Sequence, residues 1–541
     1  MAYLIEPLIY EKFRGIREYN GVNAGGEISA IACNNVELVQ TEIGANTGIK
    51  SMNGNITAYN IPVGYSIKGI FASQQDDRVY KLIYAEGAPE TPESEEQEKK
   101  GVLFYINLAD QPEIIIDNLT PTGQCNGLTM SSSAFDVFVF TNGVEAKTVC
   151  FTLDEAYKNS IQNYNPVDIG VGYVADIVAE DYLGRKVKWL SMTEWNGFLV
   201  VASEYGVHAS HQNDIYLWNE NPQDLADAWY IDFSKKITAV FAFTGGLYIF
   251  TDTDCTLLNT TPNDTTNSVM KTSAGIGCYS YQSIVKHDLY LFFYDNNQKN
   301  IYYLSATDTT GQIKPAGPVA KEIQSYFSDI KSFKMYSCIY NTRNEIWCLI
   351  DKNILIYDYA QNEWVTRQEQ DLNSLALIEN TIFSGGTNNN VYVESENIDY
   401  SGQFFPSVYK TTYINAGSNS NLKKQKTPLL ITLNTDYVND FWVQLTINNK
   451  AKNPKRVKVY QSRQGVYGPE DDNVEPLPIN IFGIARYSEE KTYQKTVVEI
   501  STPQTWYTLG VKIFTDTMGQ GFYIQSMELK NIKMKTKTKG R

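Results

Sequence analysis

Three places along the chain hold side chains that could do chemistry. His208 and His211 flank Ser210 in the run GVHASHQND. A serine between two imidazoles offers a hydroxyl and a base to take its proton, the pair that nucleophilic acyl transfer needs. No G-x-S-x-G elbow frames this serine, and a place at a strand end accounts for it. Asp252 and Asp254 in TDTDC are paired carboxylates, but their spacing puts both on the outward face of one alternating strand. A glycosidase sets its two acids across a cleft, from distant parts of the chain. The run DNNQKN at 295–300 starts like a calcium loop and then lacks the central glycine and closing glutamate, so a hairpin turn is expected. The sequence carries no Walker loop, no dinucleotide fingerprint and no S-x-D-x-G-x-T-W box. With only three histidines, His208, His211 and His287, it is poor in the commonest general base and metal ligand. The expectation is a protein that is not an enzyme, with no catalytic residue, metal or cofactor.

The cysteines agree. Cys33, Cys125, Cys150, Cys255, Cys278, Cys338 and Cys348 form no C-x-x-C pair, and the last four lie in or beside apolar runs. They read as small buried hydrophobes in a reducing compartment.

What would position such residues is a repeat. An apolar strand, a polar turn, a strongly apolar strand and a second turn recur from Gly69, Gly127, Trp189, Ala239, Ser283, Met335 and Ser374. The second strands start near Val79, Val137, Phe198, Leu247, Leu289, Ile346 and Ile382, between 36 and 61 residues apart. That spacing fits the antiparallel blades of a β-propeller, of six or seven blades. Asn196-Gly197, Gly245-Gly246, Asn142-Gly143 and Gly385-Gly386 can supply the positive φ of tight hairpins. The 38 tyrosines and 23 phenylalanines suit pleated surfaces. Short helices are expected over Leu153–Tyr164, Pro222–Trp229 and Val319–Ile330, and the acidic insertion Gly87–Lys100 reads as a surface loop.

After Ser401 the pattern changes to strands separated by long polar loops, a separate antiparallel, sandwich-like β domain. The expected division is therefore 1–400, propeller, and 401–541, C-terminal β domain with a basic tail. Charge divides the same way. Residues 1–400 hold 26 Lys and Arg against 50 Asp and Glu; residues 401–541 hold 20 against 11. Such asymmetry marks domains with different neighbours. Lys423, Lys424 and Lys426, with Lys533, Lys535, Lys537, Lys539 and Arg541, are the candidates for docking on an acidic subunit or for contact with DNA. The opening MAYLIEPLIYEKF is not a signal peptide and no run is long enough to span a bilayer, so assembly in a cytoplasm without membrane anchoring is expected.

The stretch Ile237 to Arg367 resembles the nozzle, or packaged-DNA stabilisation, proteins of short-tailed bacteriophages. The order of features carries the likeness: ITAVFAFTGGLYIFTDTDCTLL, then SAGIGCYSYQSIVKHDLYLFFYDNNQKNIYYLS, then VAKEIQSYF, then NEIWCLIDKNILIYDYAQNEWVTR. Upstream, WNGFLVVASEYGVHASHQNDIYLWN is similar to strand pairs of phage tail propellers. The resemblance implies a structural virion protein in the tail, a homohexamer assembled in the bacterial host cytoplasm. It also implies docking beneath the portal and its adaptor among other tail proteins, with double-stranded DNA retained above and passing through at ejection. A receptor-binding tail protein and a propeller glycosidase are the alternative functions.

Overall fold

The computed structural model describes the chain except for residues 1, 5–7, 17–26, 42–45, 89–97, 133–134, 180–185, 219–223, 265–269, 307–313, 316–322, 341–342, 352, 368–371, 395–403, 405, 417–421, 426, 435–438, 460–494, 503 and 536–541. The described chain is nearly all β-strand. It divides into two units. One comprises Asn55–Trp364 with Gln368–Ser395; the other comprises Met1–Gly54, Val365–Arg367 and Glu396–Arg541.

The larger unit is propeller-like. Six of the seven repeats read from the sequence become separate small antiparallel sheets, whose first strands are Tyr65–Gln75, Asn126–Ser132, Ser191–Trp195, Ile237–Phe243, Ile284–His287 and Leu372–Ile378. Sixth in chain order, Phe333–Tyr340, Arg343–Ile350 and Asn353–Asp358 pair antiparallel in series in the same way, as part of a larger sheet, and count as the sixth sheet of the seven. The strongly apolar second strand of each repeat is buried on both faces. Phe198–Ala202 and Gly246–Thr251 have no exposed residue at all. Doubly buried strands read as continuous apolar runs. The hairpin between Ser191–Trp195 and Phe198–Ala202 turns on Asn196 and Gly197, at φ 53° and 83°, the two positive φ values that a two-residue turn requires. Between the fourth sheet's first two strands the turn residues are Thr244 and Gly245, one position earlier than the expected glycine pair. Gly385 and Gly386 are not a turn; they lie inside the strand Thr381–Gly386.

Successive sheets share cores. Phe138 and Phe140 of the second sheet meet Leu82 and Tyr84 of the first, and Leu199 and Val201 of the third meet Val137 and Val139 of the second. Between the third and fourth, Trp195 packs edge-on against Trp229 in a cluster with Val240 and Ile249. Fully burying such side chains contributes roughly 1.5–3 kcal/mol each. The seventh sheet takes its last strand from the start of the unit: Asn55–Asn60 pairs with Asn390–Glu394. Ile378, Phe383 and Val391 of that sheet share a core with Ile67, Ile70 and Phe104 of the first, and the Ile70 N–H donates to Ser374 Oγ at 2.9 Å.

The second unit corrects the expected boundary at its N-terminal side. The first 54 residues do not belong to the propeller. Lys12–Ile16 runs parallel to Glu27–Asn34, and Glu27–Asn34 pairs antiparallel with Val408–Thr411, Cys33 opposite Tyr409. The physical reason is burial. Phe13, Ile28 and Cys33 are fully buried in this unit, where Phe13 meets Tyr409 edge-on at 5.7 Å. These 54 residues hold four Lys and Arg against six Asp and Glu, too few to reverse the sign of either unit.

Two of the helical expectations also change. Leu153–Tyr164 contains the helix Glu155–Ser160, capped by Asp154 accepting from the Ala156 N–H, and a 3-10 turn at Gln162–Tyr164. The described part of Val319–Ile330 holds only the 3-10 turn Gln324–Phe327, with Ile323 and Phe327 buried. The described part of Pro222–Trp229 is turn leading into the strand Trp229–Asp232. Trp229 is an anchor of the sheet core, and that burial outweighs helical periodicity. The acidic insertion lies mostly outside the described residues, between the paired strands Arg78–Gly87 and Lys100–Ile106.

Candidate interaction surface

The basic candidates meet on one small sheet of the second unit, ordered Ala2–Leu4, Ile532–Lys535, Leu422–Gln425 and Thr505–Trp506. Strand alternation sorts them. Lys423, Gln425, Ile532 and Trp506 are buried, whereas Lys424, Thr505 and Lys533 are exposed. Lys424 stands directly opposite Lys533 on one side and Thr505 on the other. Two lysines 109 positions apart in the sequence thus form a like-charged cross-strand pair.

Lys423 is not available for docking or for DNA. Its ammonium donates to the Tyr507 carbonyl at 2.8 Å and lies 5.6 Å from the Trp506 ring centre, and burial holds its pKa below the ordinary lysine range. Trp506 Nε1 in turn donates to Gln425 Oε1 at 2.9 Å. The period of two in this strand is the signal that separates Lys423 from Lys424. Lys426, Lys537, Lys539 and Arg541 lie outside the described residues, and Lys535 is placed by its backbone, opposite Leu422.

Beside Lys424 runs a groove of about 810 Å³, lined by Lys424, Lys455, Glu499, Thr427, Thr502 and Gln504, among others. Lys455 Nζ donates to the Glu499 carbonyl at 3.1 Å. Two other cations nearby are neutralised internally. Arg456 grips both carboxylate oxygens of Asp440, at 2.9 and 2.8 Å, and Lys530 pairs with Glu528 at 2.9 Å. Among the described residues no carboxylate pairs with Lys424 or Lys533. An exposed cation pair beside a polar groove can take an acidic strand edge or a phosphate chain.

Ser210 Oγ donates to the His211 carbonyl at 2.9 Å and accepts from the Leu199 N–H at 3.1 Å, so its hydroxyl serves backbone on both sides. His208 is buried with its ring 4.5 Å from that of Tyr230, and His211 Nδ1 faces Asp227 at 3.6 Å. Asp254 pairs with Lys235, which holds its carboxyl below the usual range. Asp295 accepts from the N–H groups of Asn297 and Gln298 at 2.7 and 3.1 Å and forms the hairpin turn expected at 295–300. All seven cysteines are buried. Burial pushes the Cys125 and Cys150 thiols up to about 12. Among the described residues no helix is long and apolar enough to cross a membrane.

No family model and no curated protein matches this chain. Solved structures similar to it include a computationally designed protein, Ika8, at 8% identity over 63% of this chain and 99% of that one, with a TM-score of 0.36. The extracellular domain of a proposed one-component system from B. thetaiotaomicron is 10% identical over 81% of this chain and 52% of that one, also at 0.36. A CNH domain, AfRom2, is 6% identical over 63% and 99%, again at 0.36. At these scores the likenesses carry no argument about function.

Proposed function

We propose that this chain is a structural virion protein that forms the tail nozzle of a short-tailed bacteriophage, as a ring of copies docked beneath the portal and adaptor. The observation that carries the reading is the charge map on two units: an acidic propeller-like body, and a second unit in which Lys424 and Lys533, paired with no carboxylate among the described residues, share one exposed sheet face. A conduit for DNA works best when it does not bind phosphate, because each lysine contact retards transit. The acidic body suits that role, and the basic face suits docking on an acidic neighbour. Closed rotational symmetry is the usual way for such chains to assemble.

Mass measurement of the purified assembly, with imaging of virions in which this chain is tagged, tests the reading. A hexamer at the tail axis is expected. A trimer at the tail periphery would make it a receptor-binding protein instead, and cleavage of host glycans would make it a glycosidase.

A further inference from the structure

The groove beside Lys424 continues into a second cavity of about 270 Å³, and the two share Lys455, Ser501 and Thr502. Val443, Leu445, Ile447 and Ile500, all core residues, line the second cavity. The first three are alternate residues of the strand Asn439–Ile447, and Ile500 ends the strand Lys495–Ile500. Such a floor gains from burying an aliphatic side chain. The rim is basic. Lys424, Lys452 and Lys455 are exposed, and among the described residues no carboxylate pairs with any of them.

A strand edge borders the same groove. Lys495–Ile500 pairs with Leu429–Asn434 on one side and, among the described residues, with no strand on the other. The Glu499 carbonyl accepts from Lys455 Nζ at 3.1 Å, so it points away from the paired strand and into the groove. An edge carbonyl is a ready acceptor for the N–H of another strand, and lysine is a side chain that blunts such edges. An incoming strand that takes the Glu499 carbonyl displaces the Lys455 ammonium. A carboxylate on that strand more than replaces the lost contact, because both partners are then charged. A neutral strand offers no such exchange. A phosphate chain answers the lysines but neither the apolar floor nor the carbonyl edge.

We propose that this groove is a strand-addition site for an extended acidic segment of another protein. The segment pairs with the edge at Glu499, brings a carboxylate to Lys455 and seats an apolar side chain over Val443, Leu445 and Ile500. This specifies the acidic neighbour of the docking reading and rests on that reading for the partner's place in the assembly, while the groove itself is tested on the purified chain.

The full chain is titrated with short fluorescein-labelled peptides that alternate glutamate with valine, glutamine with valine, or glutamate with serine. Anisotropy is the readout. Saturable binding of the glutamate–valine peptide is expected. The other two should each bind about tenfold more weakly, one for its missing carboxylates and one for its missing apolar side chains. Lys455→Ala should shrink the preference for glutamate over glutamine to about threefold or less, because the displaced cation is what reads the charge. Ser501→Trp places an indole at a position that lines both cavities and should abolish binding. Both substituted positions are exposed, so both variants should keep the parent's unfolding midpoint. Lack of saturable binding, equal binding of the serine peptide, or an unchanged glutamate preference in Lys455→Ala would overturn the proposal. So would a duplex oligonucleotide that displaces the peptide at physiological salt. Peptide binding with the expected preferences, by a chain that imaging finds away from the tail axis, would end the nozzle reading alone and leave the strand-addition site standing.

Discussion

Lys424 and Lys533 face each other across adjacent antiparallel strands, with no carboxylate paired to either among the described residues. Like charges directly opposite one another destabilise a sheet. Replacing either with glutamate turns repulsion into attraction, so Lys424→Glu and Lys533→Glu should each stabilise the second unit, by about 0.5 kcal/mol for a solvent-screened pair. The double exchange restores a like-charged pair and should return stability to near the starting value. Denaturant midpoints for the four proteins check the cycle; additive gains would mean that the two side chains do not interact.

Ser210 bonds backbone on both sides. Ser210→Ala leaves the buried Leu199 N–H without that partner, which costs about 1–3 kcal/mol. The loss should appear in the unfolding midpoint, and His208→Ala, His211→Ala and Asp252→Asn should leave correctly assembled particles infectious. Non-infectious particles of normal composition carrying any of these three changes would point to chemistry at these sites.

Asp358 stands opposite Glu345 in the sixth sheet, and Glu363 lies on the next strand. Burial first, and the neighbouring carboxylates Glu345 and Glu363 after it, push its pKa up to about 7. Its folded pKa thus exceeds its unfolded value, so its contribution favours folding most below pH 4 and is lost as pH rises through 7. Asp358→Asn keeps an acceptor for the Gln361 N–H, which the aspartate receives at 2.9 Å, and removes the ionisation. It should stabilise the protein at pH 8 by on the order of a few kcal/mol, with the gain fading towards pH 4. Urea midpoints at the two pH values measure this, and an equal gain at both would remove ionisation as the cause.

His287 titrates the opposite way. It is fully buried, with Nδ1 at 2.9 Å from Ser337 Oγ and Nε2 bonded to Asn344, and burial lowers its pKa. Its stabilising share is complete above the unfolded value of about 6.5 and is lost as pH falls towards its depressed folded pKa. The pH profile of His287→Gln should therefore lose a decline on the acidic side that the parent protein shows. An unchanged acidic limb would assign that decline to other groups.

The repeats were legible because each sheet, apart from the last strand of the seventh, is built from neighbouring segments, and a doubly buried second strand such as Phe198–Ala202 announces itself by composition alone. The first 54 residues were not. Phe13, Ile28 and Cys33 find their partners near Tyr409, almost four hundred positions away, and an alternating strand looks the same whichever sheet it joins. The interaction surface was half legible. Composition marked Lys424 and Lys533, but their pairing depends on long-range register, and counting the basic cluster as a whole hid the burial of Lys423.

The C-terminal strand changes how docking must be tested. Ile532 is fully buried and Lys533 to Lys535 pair with Leu422 to Lys424, so a deletion that starts at Lys533 would take out an interior strand of the small sheet. Ending the chain after Lys535 removes Lys537, Lys539 and Arg541 while sparing it. If the basic face docks on an acidic neighbour, Lys424→Glu with Lys533→Glu should reduce incorporation into particles, and the shortened chain should add to the defect. The buried Lys423→Met should assemble normally. Residual incorporation of the parent protein should fall with salt, since exposed charges are screened beyond about 8 Å at physiological ionic strength. The competing account is that these lysines grip packaged DNA. Particles that contain normal amounts of the doubly exchanged protein yet leak their genome would establish that account and end the docking one.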